Sequence, residues 1–401
     1  MPLPRFKTDV ALFATCQALF MTAVSLLATV SALVGLALAP SPGFATVPLG
    51  LQFLATMLFT FPASLCMQRV GRRAGFMGGA AFGLLGAALA AWSVAEGSFE
   101  GLCAGAFCIG IFIAFAQYYR FAAADVATAE YRSRAISLVL AGGVVAAFAG
   151  PNLANASRDL FATAAFAGCF VVVAGLAAGT MLVLAFVRVP HFRSRSSDGV
   201  SRPLAEIAMQ PRYLTAVAGA LVGYAAMNLL MTSTPLAMET RTLPFAATAS
   251  VIQWHVVGMF APSFFTGHLI RRFGTLQIML VGAVLQAACV AVNLAGDSYA
   301  HFLAALVLLG LGWNFLFIGA TTLLTETYTA QEKAKAQGFN DLLVFATVTF
   351  TATTSGYLHF ELGWRSLNIG VIPFLVVVAA TIAWLRRVDS EAAGRRPPAH
   401  A

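Results

Sequence analysis

Asp125-Val-Ala-Thr-Ala-Glu-Tyr-Arg-Ser-Arg-Ala135 aligns without gaps on Glu326-Thr-Tyr-Thr-Ala-Gln-Glu-Lys-Ala-Lys-Ala336. The two stretches are 201 residues apart in a chain of 401 residues. A shorter pair, Arg69-Val-Gly71 and Arg272-Phe-Gly274, is 203 residues apart. Two nearly equal separations of about half the chain length predict a parallel internal duplication.

The composition around these stretches is that of a membrane protein. Hydrophobic residues make up 59% of the chain and charged residues only 10%, which exceeds what a soluble domain can bury. Strand alternation is absent, so the apolar runs predict helices and an all-α fold. Twelve apolar segments lie at about 10–38, 46–67, 74–95, 101–125, 135–156, 161–187, 213–238, 246–270, 275–295, 299–325, 336–358 and 364–385. The first is too long for a signal-peptide core and has no convincing cleavage site, so we expect a retained helix.

Basic residues mark one side of the predicted membrane. Of the 24 lysines and arginines, 20 lie at the two termini, around the central loop and in alternate junctions between segments. The positive-inside rule therefore predicts that both termini are cytoplasmic. The net charge of +8 then reflects topology and contact with anionic lipid, and we expect no nucleic-acid partner.

The duplication and a central polar loop divide the chain. We predict a six-helix half over 1–190, a cytoplasmic linker over 191–212, a second six-helix half over 213–388 and a cytoplasmic tail over 389–401. The linker is rich in Ser and Arg, as in flexible connections. The six cysteines lie on or beside apolar segments without a CxxC pair, which favours free thiols.

Sequence motifs of enzymes are absent. The chain has no P-loop, no G-x-S-x-G and no H-E-x-x-H sequence. It also lacks the D-K-T-G phosphorylation motif of ATP-driven pumps. We therefore expect a protein that is not an enzyme and holds no permanently bound cofactor.

A group of methionines and one histidine is the first candidate site. Met227 and Met231 are spaced i, i+4 in the seventh segment, and His255 and Met259 are spaced likewise in the eighth. Antiparallel helices joined near 239–244 would bring them to similar depth, near the bilayer centre. Three thioethers and an imidazole suit a soft ion such as Cu(I). The alternative is core packing, for which methionine is a common gap filler.

Further candidates lie beside this group. Met238 falls on the face of Met227 and Met231, near the external end, where it could assist ion capture or simply pack. Arg120 in the fourth segment is either a cavity cation or an arginine that extends to the interface. An organic solute would instead use a cavity lined by aromatic and basic side chains, for which the candidates are Tyr118, Tyr119, Arg120, Trp254 and Trp313.

Two further stretches resemble a known family. Ser64-Leu-Cys-Met-Gln-Arg-Val-Gly-Arg-Arg73 resembles the G-x-L-x-D-R-x-G-R-K signature of the major facilitator superfamily, with Ser64, Cys66 and Gln68 departing from it. Gly267-His-Leu-Ile-Arg-Arg-Phe-Gly274 is its counterpart in the second half. The resemblance covers nearly the whole chain. It implies twelve transmembrane helices, alternating access and a site near the midplane.

A narrower resemblance concerns the transported solute. Met227, Met231, His255 and Met259 match the Met-x-x-x-Met and His-x-x-x-Met pairs of the CcoA-like copper transporters, some of whose relatives are associated with riboflavin. This resemblance implies a monomeric copper importer of the bacterial inner membrane. It would supply cbb3-type cytochrome oxidase assembly through a cytoplasmic copper acceptor. The alternative is a secondary transporter of riboflavin or another small aromatic solute.

Overall fold

The computed structural model describes residues 5–128, 130–188, 202–329 and 331–394. Within these ranges the chain is helical apart from short connections, and no strand occurs there. The α-helices are α1 (Arg5–Leu38), α2 (Val47–Val70), α3 (Arg72–Glu96), α4 (Phe99–Ala116), α5 (Tyr119–Val126), α6 (Arg132–Ser157), α7 (Ala167–Phe186), α8 (Leu204–Ala208), α9 (Pro211–Glu239), α10 (Phe245–Phe260), α11 (Ser263–Phe273), α12 (Thr275–Ala295), α13 (Tyr299–Thr325) and α14 (Lys333–Gly394).

Twelve membrane spans can be traced through the described ranges. Ten helical stretches there are long and apolar enough to cross a membrane. One of them is in α14, which has 62 residues and is kinked at Gly363, where φ is 80°; it therefore holds two spans. The shorter apolar helix α10 completes the set together with α11. The all-helical fold with twelve spans is confirmed.

Two predicted continuous segments are broken helices. The segment 101–125 is divided between α4 and α5 at Gln117 and Tyr118, where the Tyr118 amide bonds to the Phe115 carbonyl in a tighter three-residue turn. The segment 246–270 is divided between α10 and α11 at Ala261 and Pro262. Proline has no amide N–H and its ring obstructs the preceding turn, which favours a break here, although α2, α6 and α9 each continue through a proline.

The first compact unit contains α1–α7 together with residues 229–257 and 348–364. In it α1 packs against α6 and α7, and α3 packs against α4 and α7. Its core is mainly aromatic and aliphatic. Tyr119 is fully buried against the rings of Phe13, Phe20 and Phe76, the nearest centroid being 4.8 Å away.

The second compact unit contains residues 202–228, 258–347 and 365–394 among those described. Here α12 packs along α13, and α11 contacts both. Several amide side chains are buried in its interior, whereas the first unit buries Gln52. Gln286 and Asn314 are almost fully buried, and Asn293 donates to Asn368 over 2.9 Å.

Both units contain the same glycine turn. Gly71, between α2 and α3, has φ 89° and ψ 152°, and Gly274, between α11 and α12, has φ 86° and ψ 150°. A positive φ of this kind strongly favours glycine. The glycines close the two Arg-x-Gly triplets that predicted the duplication, so the repeat in sequence is a repeat in backbone conformation.

Part of the predicted polar connection lies outside the described residues. Residues 189–201 of the linker region and 395–401 of the tail are not described. The described end of the linker begins at Arg202, whose guanidinium bonds to both carboxylate oxygens of Glu332 at 2.8 and 2.7 Å. The proposed boundaries at residues 190, 212 and 388 stay predictions.

Candidate substrate-binding site

The methionines and histidine predicted as ligands are buried. Met227, Met231 and Met259 are each at most 9% exposed, and Met238 and His255 are fully buried. The first compact unit holds Met231 and His255, whereas the second holds Met227 and Met259. The close approach expected within each of these pairs stays a prediction.

Residues 118–120 separate into three different environments. The Tyr118 hydroxyl donates to the Thr60 carbonyl over 3.0 Å, and Tyr119 is a core residue without access to a solute. Arg120 is exposed, with its guanidinium carbon 4.8 Å from the centroid of Phe121. The helix break at Gln117 and Tyr118 thus turns only Arg120 outward.

Trp254 is also exposed, at 44%. It lies on α10 within the first compact unit. Its ring meets that of Phe148 edge-on, with the centroids 6.4 Å apart. The indole can therefore be reached from outside the core.

Four aromatic rings of the second unit form a cluster on α9, α10 and α13. We call Tyr224, Phe260, Trp313 and Phe317 the Trp313 cluster. Trp313 and Phe317 are stacked, with centroids 5.0 Å apart and planes at 12°. Tyr224 stands edge-on to both rings, at 5.2 and 5.3 Å. Tyr224, Phe260 and Phe317 are half-buried, so the cluster keeps some accessible ring surface as well as packing internally.

Trp313 is the central member of this cluster. It is only 5% exposed, and its indole N–H has no hydrogen-bond partner among the described residues. A buried donor without an acceptor costs about 1–3 kcal/mol. The Trp313 N–H is therefore a buried donor left unsatisfied by the described residues.

Asn314, the next residue, is fully engaged with the helix break. Its amide nitrogen donates to the Met259 carbonyl at 2.6 Å and to the Ser263 hydroxyl at 2.7 Å. Its amide oxygen accepts from the Thr266 hydroxyl at 2.7 Å. The side chain thus satisfies groups left open around Pro262 and ties the break in α10 and α11 to α13.

Gln286 supports the same region from α12. Its side-chain nitrogen donates to the Gly223 carbonyl over 3.1 Å. Gly223 immediately precedes Tyr224, so this bond fixes the backbone of α9 next to the Trp313 cluster. Buried amides of this kind are rare in membrane spans and commonly mark functional regions.

At one end of the first unit, the start of α2 contacts α14. The Thr46 hydroxyl, before α2, donates to the Thr353 carbonyl at 3.2 Å and accepts from the Gly356 amide at 3.0 Å. A Cβ on Gly50 would lie 2.8 Å from the Thr353 Cα. The close approach of the two helices therefore requires glycine here.

A second contact lies at the same end. The guanidinium carbon of Arg158 is 5.1 Å from the ring centroids of both Phe166 and Phe245, a cation–π arrangement. Further along, the Asn152 amide donates to the Gln253 side chain over 2.9 Å. These contacts join α6 and the start of α7 to α10.

Many helices long and apolar enough to cross a membrane, with a glycine turn repeated in both units, define a polytopic helical membrane protein. The chain belongs to the Major Facilitator Superfamily, whose family model matches residues 13–292 and 243–401. The expected superfamily membership is confirmed.

Two bacterial transporters are similar to the chain in sequence. The chain is 39% identical over 374 residues to the riboflavin transporter RfnT of Brucella anthropi, covering 93% of this chain and 94% of the relative. It is 29% identical to YddS, an uncharacterized MFS-type transporter of Bacillus subtilis, over 84% of each chain.

Solved structures share the fold. A bacterial homolog of the human lysosomal transporter Spinster, in an inward-facing and occupied conformation, matches with a TM-score of 0.74 and 15% identity over 100% of both chains. The nucleoside transporter NupG matches with a TM-score of 0.71 and 13% identity, covering 93% of this chain and 99% of its own.

The prediction of copper import is wrong. The relative that shares 39% identity over nearly the full length is a riboflavin transporter, and no comparison supports copper. The associated predictions of metal binding and of a role in cytochrome oxidase assembly fall with it. The Met-x-x-x-Met and His-x-x-x-Met spacings also fit packing in a helix interior. The four side chains of these spacings and that of Met238 are indeed buried.

Sequence reasoning missed most of the Trp313 cluster and the polar groups beside it. Trp313 was named only as a candidate for an organic solute, and Tyr224 and Phe317 were not singled out. A signal was present, because Trp313-Asn314 and Gln286 interrupt otherwise apolar spans. Their neighbours depend on the relative rotation of separate helices, which hydropathy does not specify.

Proposed function

We propose that this protein is a secondary transporter that imports riboflavin across a bacterial inner membrane. The observation that carries the proposal is the 39% identity, over 93% of the chain, to a riboflavin transporter. A likeness over 93% of the chain extends through most of the spans and therefore supports a shared solute pathway as well as a shared scaffold.

The chemistry of the second unit supports a planar aromatic solute. The Trp313 cluster offers half-buried rings for stacking and a buried indole N–H for an acceptor. Sites for organic solutes characteristically combine apolar walls with a few fixed polar groups. The isoalloxazine ring of riboflavin is flat and has carbonyl acceptors on one edge, and so it matches both features.

The transport mechanism that fits this fold is alternating access. The basic loops support cytoplasmic termini, and in that orientation the Thr46 contact lies on the external side. Breaking the hydrogen bonds of Thr46 with residues 353 and 356 would open that side to the solute. Riboflavin passes unchanged, so no catalytic group or resident cofactor is needed, and one monomer suffices.

Uptake of radiolabelled riboflavin is the direct test. A riboflavin-auxotrophic bacterium without its own importer is supplied with this chain, and accumulation is compared with the empty vector. We expect accumulation that unlabelled riboflavin suppresses. Copper accumulation measured in the same cells should match the vector. Riboflavin uptake equal to the vector, with the protein present in the membrane, would refute the proposal.

Topology is tested in the same cells with an impermeant thiol reagent. Ser298, before α13, and Ser390, near the end of α14, are both exposed. In a chain without native cysteines, Ser298→Cys should label in intact cells, and Ser390→Cys only after permeabilisation. The reverse pattern would contradict the proposed orientation.

A further inference from the structure

The Trp313 cluster is built differently from ordinary core packing. In the first unit Tyr119 is fully enclosed by other rings. In the cluster, by contrast, Tyr224, Phe260 and Phe317 are half-buried around the buried Trp313. The cluster therefore keeps accessible ring surface that the packing around Tyr119 does not.

Two neighbouring polar groups, the Asn314 amide and the Trp313 N–H, differ in their hydrogen bonding. Asn314 is committed to Met259, Ser263 and Thr266, so its amide is not needed by a solute. The indole N–H of Trp313 has no such commitment among the described residues. The arrangement therefore leaves one donor at the centre of the aromatic surface.

We propose that the Trp313 cluster binds the fused heteroaromatic ring of the transported solute. The solute ring lies beside Trp313 in nearly the same plane, where it stacks on Phe317 and accepts a hydrogen bond from the Trp313 N–H through a carbonyl oxygen on its edge, and Tyr224 borders it edge-on. This assignment rests on the proposed riboflavin transport. It places recognition in the ring and leaves the sugar-alcohol chain of riboflavin outside these contacts.

The expected contributions are separable by substitution. An aromatic pair contributes about 0.5–1.5 kcal/mol beyond its buried area, and a hydrogen bond about 0.5–1.5 kcal/mol. Trp313→Phe keeps a ring but removes the donor, whereas Phe317→Leu keeps apolar volume but removes the stacking partner. Each should therefore weaken binding roughly two- to twelvefold.

The experiment is a titration of purified full-length protein in detergent with riboflavin, followed by quenching of the flavin fluorescence on stacking. Trp313→Phe should raise Kd while retaining part of the quench. Phe317→Leu should raise Kd and reduce the quench. Matched controls are Trp92→Phe and Phe350→Leu, at side chains 58% and 66% exposed, and both should bind as wild type does.

Competition identifies the part of the solute that is recognised. Lumiflavin, which keeps the fused ring but lacks the ribityl chain, should displace riboflavin from wild type and lose affinity in the same two variants. Ribitol should not compete. Displacement by ribitol but not by lumiflavin would overturn the assignment.

Failure of this site can be distinguished from failure of the proposed function. If wild type binds and accumulates riboflavin while Trp313→Phe and Phe317→Leu match it, transport stands and the site lies elsewhere. If wild type neither binds nor accumulates riboflavin, both proposals fall. Thermal unfolding of each variant is measured first. If Trp313→Phe does not fold, Phe317→Leu and Tyr224→Leu decide the question.

Discussion

Tyr131 and Glu332 occupy equivalent places in the repeated segment, and they do the same task with different chemistry. Tyr131 packs edge-on against Phe6, 5.6 Å away, with the Lys7 ammonium 5.8 Å from its ring centroid. Glu332 instead accepts a bidentate pair from Arg202. In each case the residue holds the stretch leading into the first span of its half. The repeat thus preserves the contact and exchanges a cation–π interaction for an ion pair.

The α3–α4 and α12–α13 pairs extend this comparison into the spans. A Cβ on Gly86 would lie 2.7 Å from the Gly105 carbonyl oxygen, and the reciprocal distance is also 2.7 Å. Gly282 and Gly312 show the same reciprocal relation at 2.8 and 2.7 Å. Both helix pairs therefore touch backbone to backbone through glycines at equivalent positions.

The glycine register reveals where the two halves diverged. Counting from it, positions occupied by small or apolar residues in the first unit carry amides and aromatic rings in the second. These equivalent pairs are Ala90 and Gln286, Ala106 and Trp313, Phe107 and Asn314, and Gly110 and Phe317. The glycine contact is common to both halves, whereas these amides and aromatic rings occur in the second half.

Substitution of the paired glycines should disrupt the backbone contact that both halves share and give the largest loss of stability. Gly86→Ala and Gly282→Ala each place a methyl group against a carbonyl oxygen, which forces the helices apart at a cost of about 1–3 kcal/mol. We expect similar losses of thermal stability in detergent for the two variants.

The matched control for this test is Gly78→Ala in α3, where a Cβ meets nothing within 4 Å. It should be neutral or slightly stabilising. A much larger loss for one of the paired glycines than for the other would show that the two contacts are not equivalent.

Asn314→Leu should destabilise the second unit, in which the Asn314 amide is buried. It removes three hydrogen bonds around Pro262 and leaves the Met259 carbonyl unsatisfied, for a loss of about 2 kcal/mol. Riboflavin uptake should fall as well, because the break between α10 and α11 is no longer held. Asn152→Ala, at an exposed hydrogen bond, serves as the control. Wild-type stability in Asn314→Leu would contradict the structural role given to this amide.

Tyr131→Leu should produce a smaller change, because it removes a ring at the rim of the first unit. Loss of the contacts with Phe6 and Lys7 predicts about 0.5–1 kcal/mol. Thermal unfolding at low and high salt is the measurement. A deficit that vanished at high salt would indicate a simple charge interaction instead of ring packing.

The Glu332 carboxylate should give the smallest effect and a distinct pH dependence. Hydrogen bonds from Arg202 and from the Thr329 amide hold the pKa of Glu332 well below its usual range. The stabilisation is therefore fully present above the ordinary glutamate pKa of about 4.3 and is lost as the pH falls through the lowered pKa of the folded state.

The corresponding measurement compares unfolding of wild type and Glu332→Gln between pH 7 and pH 3. Wild type should be measurably more stable than Glu332→Gln at pH 7. The difference in stability should be modest, because Arg202 is partly exposed, and it should shrink below about pH 4. Glu96→Gln, at an exposed helix end, should show no such trend. A difference that grew on acidification would overturn the assignment.

The sequence was sufficient for those features that depend on local pattern. Long apolar segments predicted the spans. The Arg-x-Gly triplets predicted a duplication, and Gly71 and Gly274 indeed have nearly identical backbone angles. Pro262 marked a break that a hydropathy window averages away. The break near Gln117 has no such marker, because it is a tightened turn without proline or glycine.

The candidate site was less accessible to sequence reasoning. Equal spacing along two helices made Met227 and His255 look like partners, although spacing alone does not distinguish ligands from packing. The Trp313 cluster depends on how α9 and α13 are rotated toward each other, which the Gln286 bond to Gly223 and the glycine contacts help to set. Such information is absent from any single segment.

The reciprocal glycines also give fixed reference positions for aligning the helices of distant relatives. At 13–15% identity, as with NupG and the Spinster homolog, an alignment of apolar helices can slip by a whole turn without a visible penalty. The obstruction at Gly86 or Gly282 is a main-chain oxygen, so no change of a neighbouring side chain can make room for a larger residue. Alignments anchored on the two glycine pairs would therefore fix the helix register first, and the identity of the transported solute could then be compared position by position.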